Sequence, residues 1–265
     1  MVDTLTSFEK NLGKITLIVI MSLAAILVVV YWWLIQLLQI AGLPLYFMQL
    51  GLYLIFYLLA WWGMKQEGTS LSITTRRIME ALIWSLVGWL FFVLLIQVLG
   101  MVQLSEEFQS LAATPAWKIC AKIFSTWFFV GMGEEVLFRG YFLSAIRRHF
   151  TSGTDQRRTV NAVLLSSAFF SLWHLPVQLV WVFTGEADVL TVLISLVVLF
   201  LMGLGFAYLF VRSDNIVLVG LVHGLMDFPL VGTNSQVTAI ILLVAIGCVE
   251  IVRWVARQKV TALQQ

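Results

Sequence analysis

Long apolar blocks separated by short polar stretches run the length of this chain. No Asp, Glu, Lys or Arg lies between Lys14 and Lys65, and at about 20 residues per membrane helix that run holds two spans. Gly42, Leu43 and Pro44 mark the break between them. Read this way, the pattern predicts helices over residues 15–39, 45–63, 79–104, 119–146, 160–183, 189–211, 216–231 and 236–252. The expected fold is an all-α, polytopic membrane protein with about eight transmembrane helices. Residues 15–39 exceed the apolar core of a cleavable signal peptide, and no small-residue cleavage pattern follows. The first span is therefore expected to stay as a signal anchor.

Basic residues orient these spans, because cytoplasmic loops retain Lys and Arg. Of the 16, one side of an eight-span arrangement collects Lys10, Lys14, Lys65, Arg76, Arg77, Arg147, Arg148, Arg157, Arg158, Arg212, Arg253, Arg257 and Lys259. The other side receives Lys118 and Lys122, with the acidic Glu106, Glu107, Glu186 and Asp188. An odd number of spans would scatter this segregation, so the N- and C-termini are both expected in the cytoplasm.

Composition agrees: 61% hydrophobic and 11% charged residues, with a mean hydropathy of +0.97, exclude soluble fold classes. A formal net charge of +2 offers no surface for nucleic acid. The expected surroundings are a lipid bilayer, at the cell membrane. Cys120 and Cys248 both lie in apolar stretches without the close pairing of a disulfide framework or a thiolate zinc site, so redox chemistry is not expected. Trp32, Trp33, Trp61, Trp62 and Trp117 fall near span ends, where indoles favour the headgroup region.

Ionisable groups inside a span are costly and mark functional candidates. Six stand out: Glu134, Glu135 and Arg139 in the fourth span, His174 in the fifth, and His223 with Asp227 in the seventh. Rise per residue places Glu134 about 20 Å from Arg147, His174 about 21 Å from residue 160 and His223 about 12 Å from residue 216, so all share a depth range. Glu250, near Arg253, reads instead as a snorkelling surface pair.

Glu135 and Arg139 are four apart, so Arg139 can neutralise one carboxylate while Glu134 points elsewhere. His223 and Asp227 have the same spacing, which lets the carboxyl set the imidazole tautomer or act with it on a ligand. His174 precedes Pro176, whose ring weakens the helix there. A carboxylate near two imidazoles in a dry pocket suits water activation and oxyanion stabilisation. Two His and one Glu also suit a divalent metal such as zinc, held by Glu134, His174 and His223. The two-His zinc-protease helix signature and the Gly-x-Ser-x-Gly motif are both absent. A proton-coupled transporter using these groups as a relay is the competing class, although no inverted repeat accompanies them.

Three segments, Glu134-Glu135-Val136-Leu137-Phe138-Arg139-Gly140, Phe170-Ser171-Leu172-Trp173-His174 and His223-Gly224-Leu225-Met226-Asp227, resemble the motifs of the CAAX protease and bacteriocin-processing family of intramembrane endopeptidases, also called the Abi family. Order and span placement are similar over residues ~119–231. The resemblance implies three regions: a variable N-terminal membrane region of three transmembrane helices at 1–118, a catalytic helical core at 119–252 and a cytoplasmic tail at 253–265. It implies that Glu134 activates water with help from His174, that Glu135 and Arg139 hold the site in shape, and that His223 and Asp227 stabilise the oxyanion. Phe138, Phe170 and Trp173 would wall the substrate site. The family has been described both as metal-dependent and as a metal-free glutamate-type protease.

Asp227 departs from the eukaryotic prenyl-protein branch, where Asn is usual. An ionised Asp cannot donate to an oxyanion, so it must be protonated or must orient His223. Its presence favours a prokaryotic leader/bacteriocin-type peptide or membrane-protein substrate over a CAAX-type one, and both stay as expected substrate classes. The alternative implied role is a bacteriocin-immunity or membrane-regulatory protein that keeps the protease fold, works by binding and has a regulatory membrane partner.

Overall fold

The computed structural model describes residues 7–40, 43–99, 115–150, 152–229 and 235–262. All regular structure there is helical, and it falls into eight helices in the expected places: α1 (Ser7–Leu38), α2 (Leu43–Gln66), α3 (Thr75–Val98), α4 (116–149), α5 (Asp155–Trp173 continued by Leu175–Phe183), α6 (Val189–Ser213), α7 (Ile216–Asp227) and α8 (Ser235–Ala262). Glu106, Glu107 and the last residues of the expected third and seventh spans lie outside the described residues, as does Gly42 of the expected break, whose Leu43 and Pro44 open α2.

Among the described residues six helices are long and apolar enough to cross a membrane: α1, α2, α3, α5, α6 and α8. The remaining two carry five of the six polar candidates. Helix α7 has 12 residues, so at about 1.5 Å per residue it falls short of a hydrocarbon core about 30 Å thick. Helix α4 is not uniform. It runs as an α stretch (Ala116–Phe124), a π stretch (Ser125–Gly131), a four-residue α stretch (Met132–Glu135), a second π stretch (Val136–Leu143) and a closing α turn (Ser144–His149).

The chain forms two compact units, each from discontinuous segments. Ser72–Glu135 and Tyr208–Gln265 make one, in which α7 packs against α3, the first part of α4 and α8. Local chemistry fixes both ends of α7. Asn215 is its N-cap, accepting from the backbone N–H groups of Val217 and Leu218, which satisfies donors that no helical carbonyl reaches. The Asn215 Nδ2 group also donates to the Arg77 carbonyl at 2.9 Å, and Arg77 pairs with Asp214 at 2.7 Å. The helix stops before Pro229: Phe228 takes φ −143° and ψ 82°, as a residue preceding proline favours extended backbone.

Met1–Leu71 and Val136–Ala207 make the other unit, with α1, α2, the second part of α4, α5 and most of α6. Its core is aromatic. Phe138 meets Phe142, Phe170 and Trp173 edge-on at 5.5, 5.2 and 5.4 Å between ring centres, and Trp173 meets Phe56 at 5.1 Å. One end is tied by a buried polar cluster: both Glu67 carboxylate oxygens lie within 2.8 Å of His149 Nε2, and Arg148 donates to the Glu67 carbonyl at 2.6 Å. Gly13 is the space for that imidazole, since a Cβ there would stand 2.1 Å from the ring. Pro176 has the expected effect. Helix α5 is jointed at His174, where φ −85° and ψ −7° separate its two stretches.

Candidate active site

In the unit built on α7, Glu134 and Glu135 sit on the short α stretch of α4 and His223 on α7. All three are buried, with Glu135 fully so. His223 Nδ1 is 2.9 Å from Glu135 Oε1, a bond between residues 88 apart in sequence. Its other nitrogen, Nε2, faces Asp227 Oδ2 at 3.6 Å, beyond hydrogen-bonding distance. The imidazole therefore stands between two carboxylates. Asp227, at the end of α7, is the most open member, its side chain 33% exposed.

Small residues permit this meeting. A Cβ on Gly131 would lie 2.5 Å from the Gly224 nitrogen and 2.7 Å from the Gly220 oxygen. One on Gly224 would lie 2.5 Å from the Trp127 Cα, and one on Gly220 would lie 2.9 Å from the Met132 Cα. Helices α4 and α7 thus touch backbone to backbone beside Glu135 and His223, as glycine faces allow in membrane helices. Both π stretches border the segment that carries the two glutamates. Such departures from α geometry are frequent at functional sites, and nothing in the residue pattern announced them.

The other unit holds Arg139, His174 and the aromatic candidates. Arg139 is fully buried. Its Nη2 donates to the Gly203 carbonyl at 3.0 Å, and its guanidinium carbon lies 4.4 Å from the Phe170 ring centre, 5.4 Å from Phe206 and 5.7 Å from Phe138. An aromatic box suits this weakly hydrated cation. Gly203 keeps the box closed, a Cβ there coming within 3.1 Å of Ser167 and 3.3 Å of Phe170. His174 Nδ1 lies 2.8 Å from the Phe170 carbonyl. A carbonyl only accepts, so Nδ1 carries the proton and Nε2 the lone pair of the neutral ring.

Phe138, Phe170 and Trp173, candidates for a substrate wall, are all buried. Phe138 and Phe170 pack on Arg139, and Trp173 packs on Phe138 and Phe56. Among the described residues no group of three or more His, Cys, Asp or Glu side chains could hold a metal ion. Glu250 is paired, as expected of a snorkelling residue, but its bidentate partner is Arg212, at 2.5 and 2.8 Å. Arg253 reaches the Arg212 carbonyl instead. The Glu67, Arg148 and His149 cluster was not legible in the sequence, since its members lie about 80 positions apart in segments that read as loops.

Residues 116–229 match a family model described as "Rce1-like: Type II CAAX prenyl endopeptidase Rce1-like". No curated protein and no solved structure matches the chain. The matched segment contains all six polar candidates and the whole of α4, α5, α6 and α7. Over residues 116–229 this multi-pass membrane protein is thus similar to the Rce1-like type II CAAX prenyl endopeptidases.

Proposed function

We propose that the protein is an intramembrane endopeptidase that hydrolyses a peptide bond of a CAAX-type or leader/bacteriocin-type peptide or membrane-protein substrate with a glutamate-activated water. The observation that carries this reading is the buried contact of Glu135 with His223 beside Glu134. Glu134 takes a proton from water as the oxygen attacks the scissile carbonyl carbon. Glu135 accepts from Nδ1–H of His223 and fixes the ring, so that in the imidazolium Nε2–H points away from Glu135 and donates to the developing oxyanion. Asp227, too far from Nε2 for a direct bond, supplies a counter-charge and needs no proton of its own. The tetrahedral intermediate then collapses: the C–N bond breaks, and the proton held by Glu134 passes to the leaving amine. His174 and Arg139 occupy the remaining motif positions, His174 with the tautomer that offers Nε2 as a base.

The steps above use no metal. Were a divalent ion such as zinc bound, Nε2 of His223 would be the nitrogen to hold it, with Nδ1 bound to Glu135 and Asp227 Oδ2 3.6 Å away.

The deciding experiment is cleavage of leader-type and prenylated peptides by detergent-purified protein, parent against Glu134→Ala, with and without a chelator. Removing a general base lowers turnover by about 10²–10⁴-fold, and that loss is expected with Glu134→Ala. Cleavage retained by the variant would sink the reading. A cellular phenotype that survives Glu134→Ala would identify a binding protein, and chelator-sensitive cleavage would return a metal to the site.

A further inference from the structure

We infer that Trp89 and Trp127 are positioning residues for this site, clamping the exit of α7 so that Asp227 stays against His223. The inference rests on the proposed hydrolytic reading for its kinetic consequence and on geometry alone for the rest. Helix α7 ends at Asp227 because Pro229 follows, and the carbonyls of Phe228 and Pro229 then point out of the helix. In apolar surroundings such acceptors need donors. Two indoles supply them: Trp127 Nε1 donates to the Phe228 carbonyl at 3.2 Å and Trp89 Nε1 to the Pro229 carbonyl at 2.9 Å. The donors come from α4 and α3, two helices that pack on α7.

Trp127 acts at two points. Its backbone is the surface against which Gly224 packs, next to His223, and its indole reaches Phe228, next to Asp227. The stretch from His223 to Asp227 is thus bracketed by one residue of α4, the helix that carries Glu135. Phe228 is itself buried, at 2% exposure, and Lys122 Nζ lies 5.8 Å from its ring centre. Without the indole donors, the segment after Asp227 would turn to find others. The Asp227 carboxylate would move with it, since Asp227 is the last helical residue and the segment that turns follows it directly.

The test uses the full chain in detergent with ¹⁵N-labelled histidine. Trp89→Phe and Trp127→Phe keep an aromatic ring and remove the N–H, singly and together. Loss of one set of signals in His223→Gln assigns the ring, and Asp227→Asn gives its signals with the neighbouring charge removed. In the double variant the His223 nitrogen signals are expected to move toward those of Asp227→Asn, while those of His149 stay in place. The turnover number is expected to fall about tenfold with KM within about twofold, the effect of one misplaced hydrogen bond felt only in the transition state. His223 signals that overlay on the parent in a folded variant would overturn the inference, whatever the change in melting temperature. If the double variant does not fold, each single variant is judged by the same criterion. Should the parent cleave nothing, the hydrolytic reading fails while the nitrogen spectra still decide whether the clamp holds the pair.

Discussion

His223 is bound to a fully buried carboxylate on one side and faces a partly open one on the other, so its two neighbours should not be equivalent. Removing either partner of the Glu135–His223 bond strands a buried polar group, at a cost of about 1–3 kcal/mol. A double-mutant cycle with Glu135→Ala and His223→Ala, read by thermal or denaturant unfolding, should therefore return a coupling within about 0.5–3 kcal/mol; additive losses would mean that the contact contributes nothing. Arg139 poses a different problem, because its setting includes three aromatic rings and a carbonyl. Lysine keeps the charge but not the flat, forked guanidinium that stacks on Phe170. Arg139→Lys is expected to lower stability by about 2 kcal/mol, the scale of a desolvated cation–π contact. An unchanged melting temperature would contradict the box.

Helices α4 and α7 meet where side chains are missing. Gly131→Ala and Gly224→Ala would each press a methyl group onto the facing backbone, and overpacking of this kind costs about 1–3 kcal/mol. Gly247→Ala in α8 is the control: no atom lies within 4 Å of its added methyl, so it should change stability by less than about 1 kcal/mol. Melting temperatures of the three variants test the crossing directly. Equal shifts would show that the close approach is not what the glycines provide.

Helix α6 offers a separate test at its start. The exposed Asp188 accepts from the Thr191 backbone N–H at 2.7 Å, and that bond holds its carboxyl below the usual range. A carboxyl lowered by folding contributes stability above its unfolded pKa and loses it as pH falls through its folded pKa. Asp188→Asn should therefore flatten the acid limb of the stability profile and leave the neutral region nearly unchanged. An acid limb identical to the parent's would remove Asp188 from that account.

At the scale of the whole molecule, six helices meet the length and composition of a span and two do not. Charge segregation favours eight crossings, because with six Arg147, Arg148, Arg157 and Arg158 would lie outside, and eight crossings put both termini on the cytoplasmic side. In a background with Cys120 and Cys248 replaced by Ala, a membrane-impermeant thiol reagent applied from outside should label Glu186→Cys and spare Gln156→Cys. The reverse pattern would mean either that α4 does not cross or that the orientation is inverted. Both positions are exposed, so a difference in labelling reports sidedness rather than burial.

Much of this architecture was legible along the chain because membrane insertion is a local property of each segment. A run without charge must be apolar enough to leave water, so each of the eight expected helices appears in its place. For the same reason Glu134, Glu135, Arg139, His174, His223 and Asp227 stood out, as the groups that hydrocarbon tolerates least. Partnership is different, because it depends on which helix faces which. A four-residue spacing can be read along one helix, as for Glu135 and Arg139. The bond of Glu135 to His223 spans 88 residues, through a glycine crossing that no periodicity reveals. Glu67 and His149 were hidden for the opposite reason: each reads as a solvated loop charge until the fold closes over both. Composition and spacing determine what this chain must bury. Only the tertiary structure decides which carboxylate stands beside which imidazole, because that energy exists only between surfaces already packed.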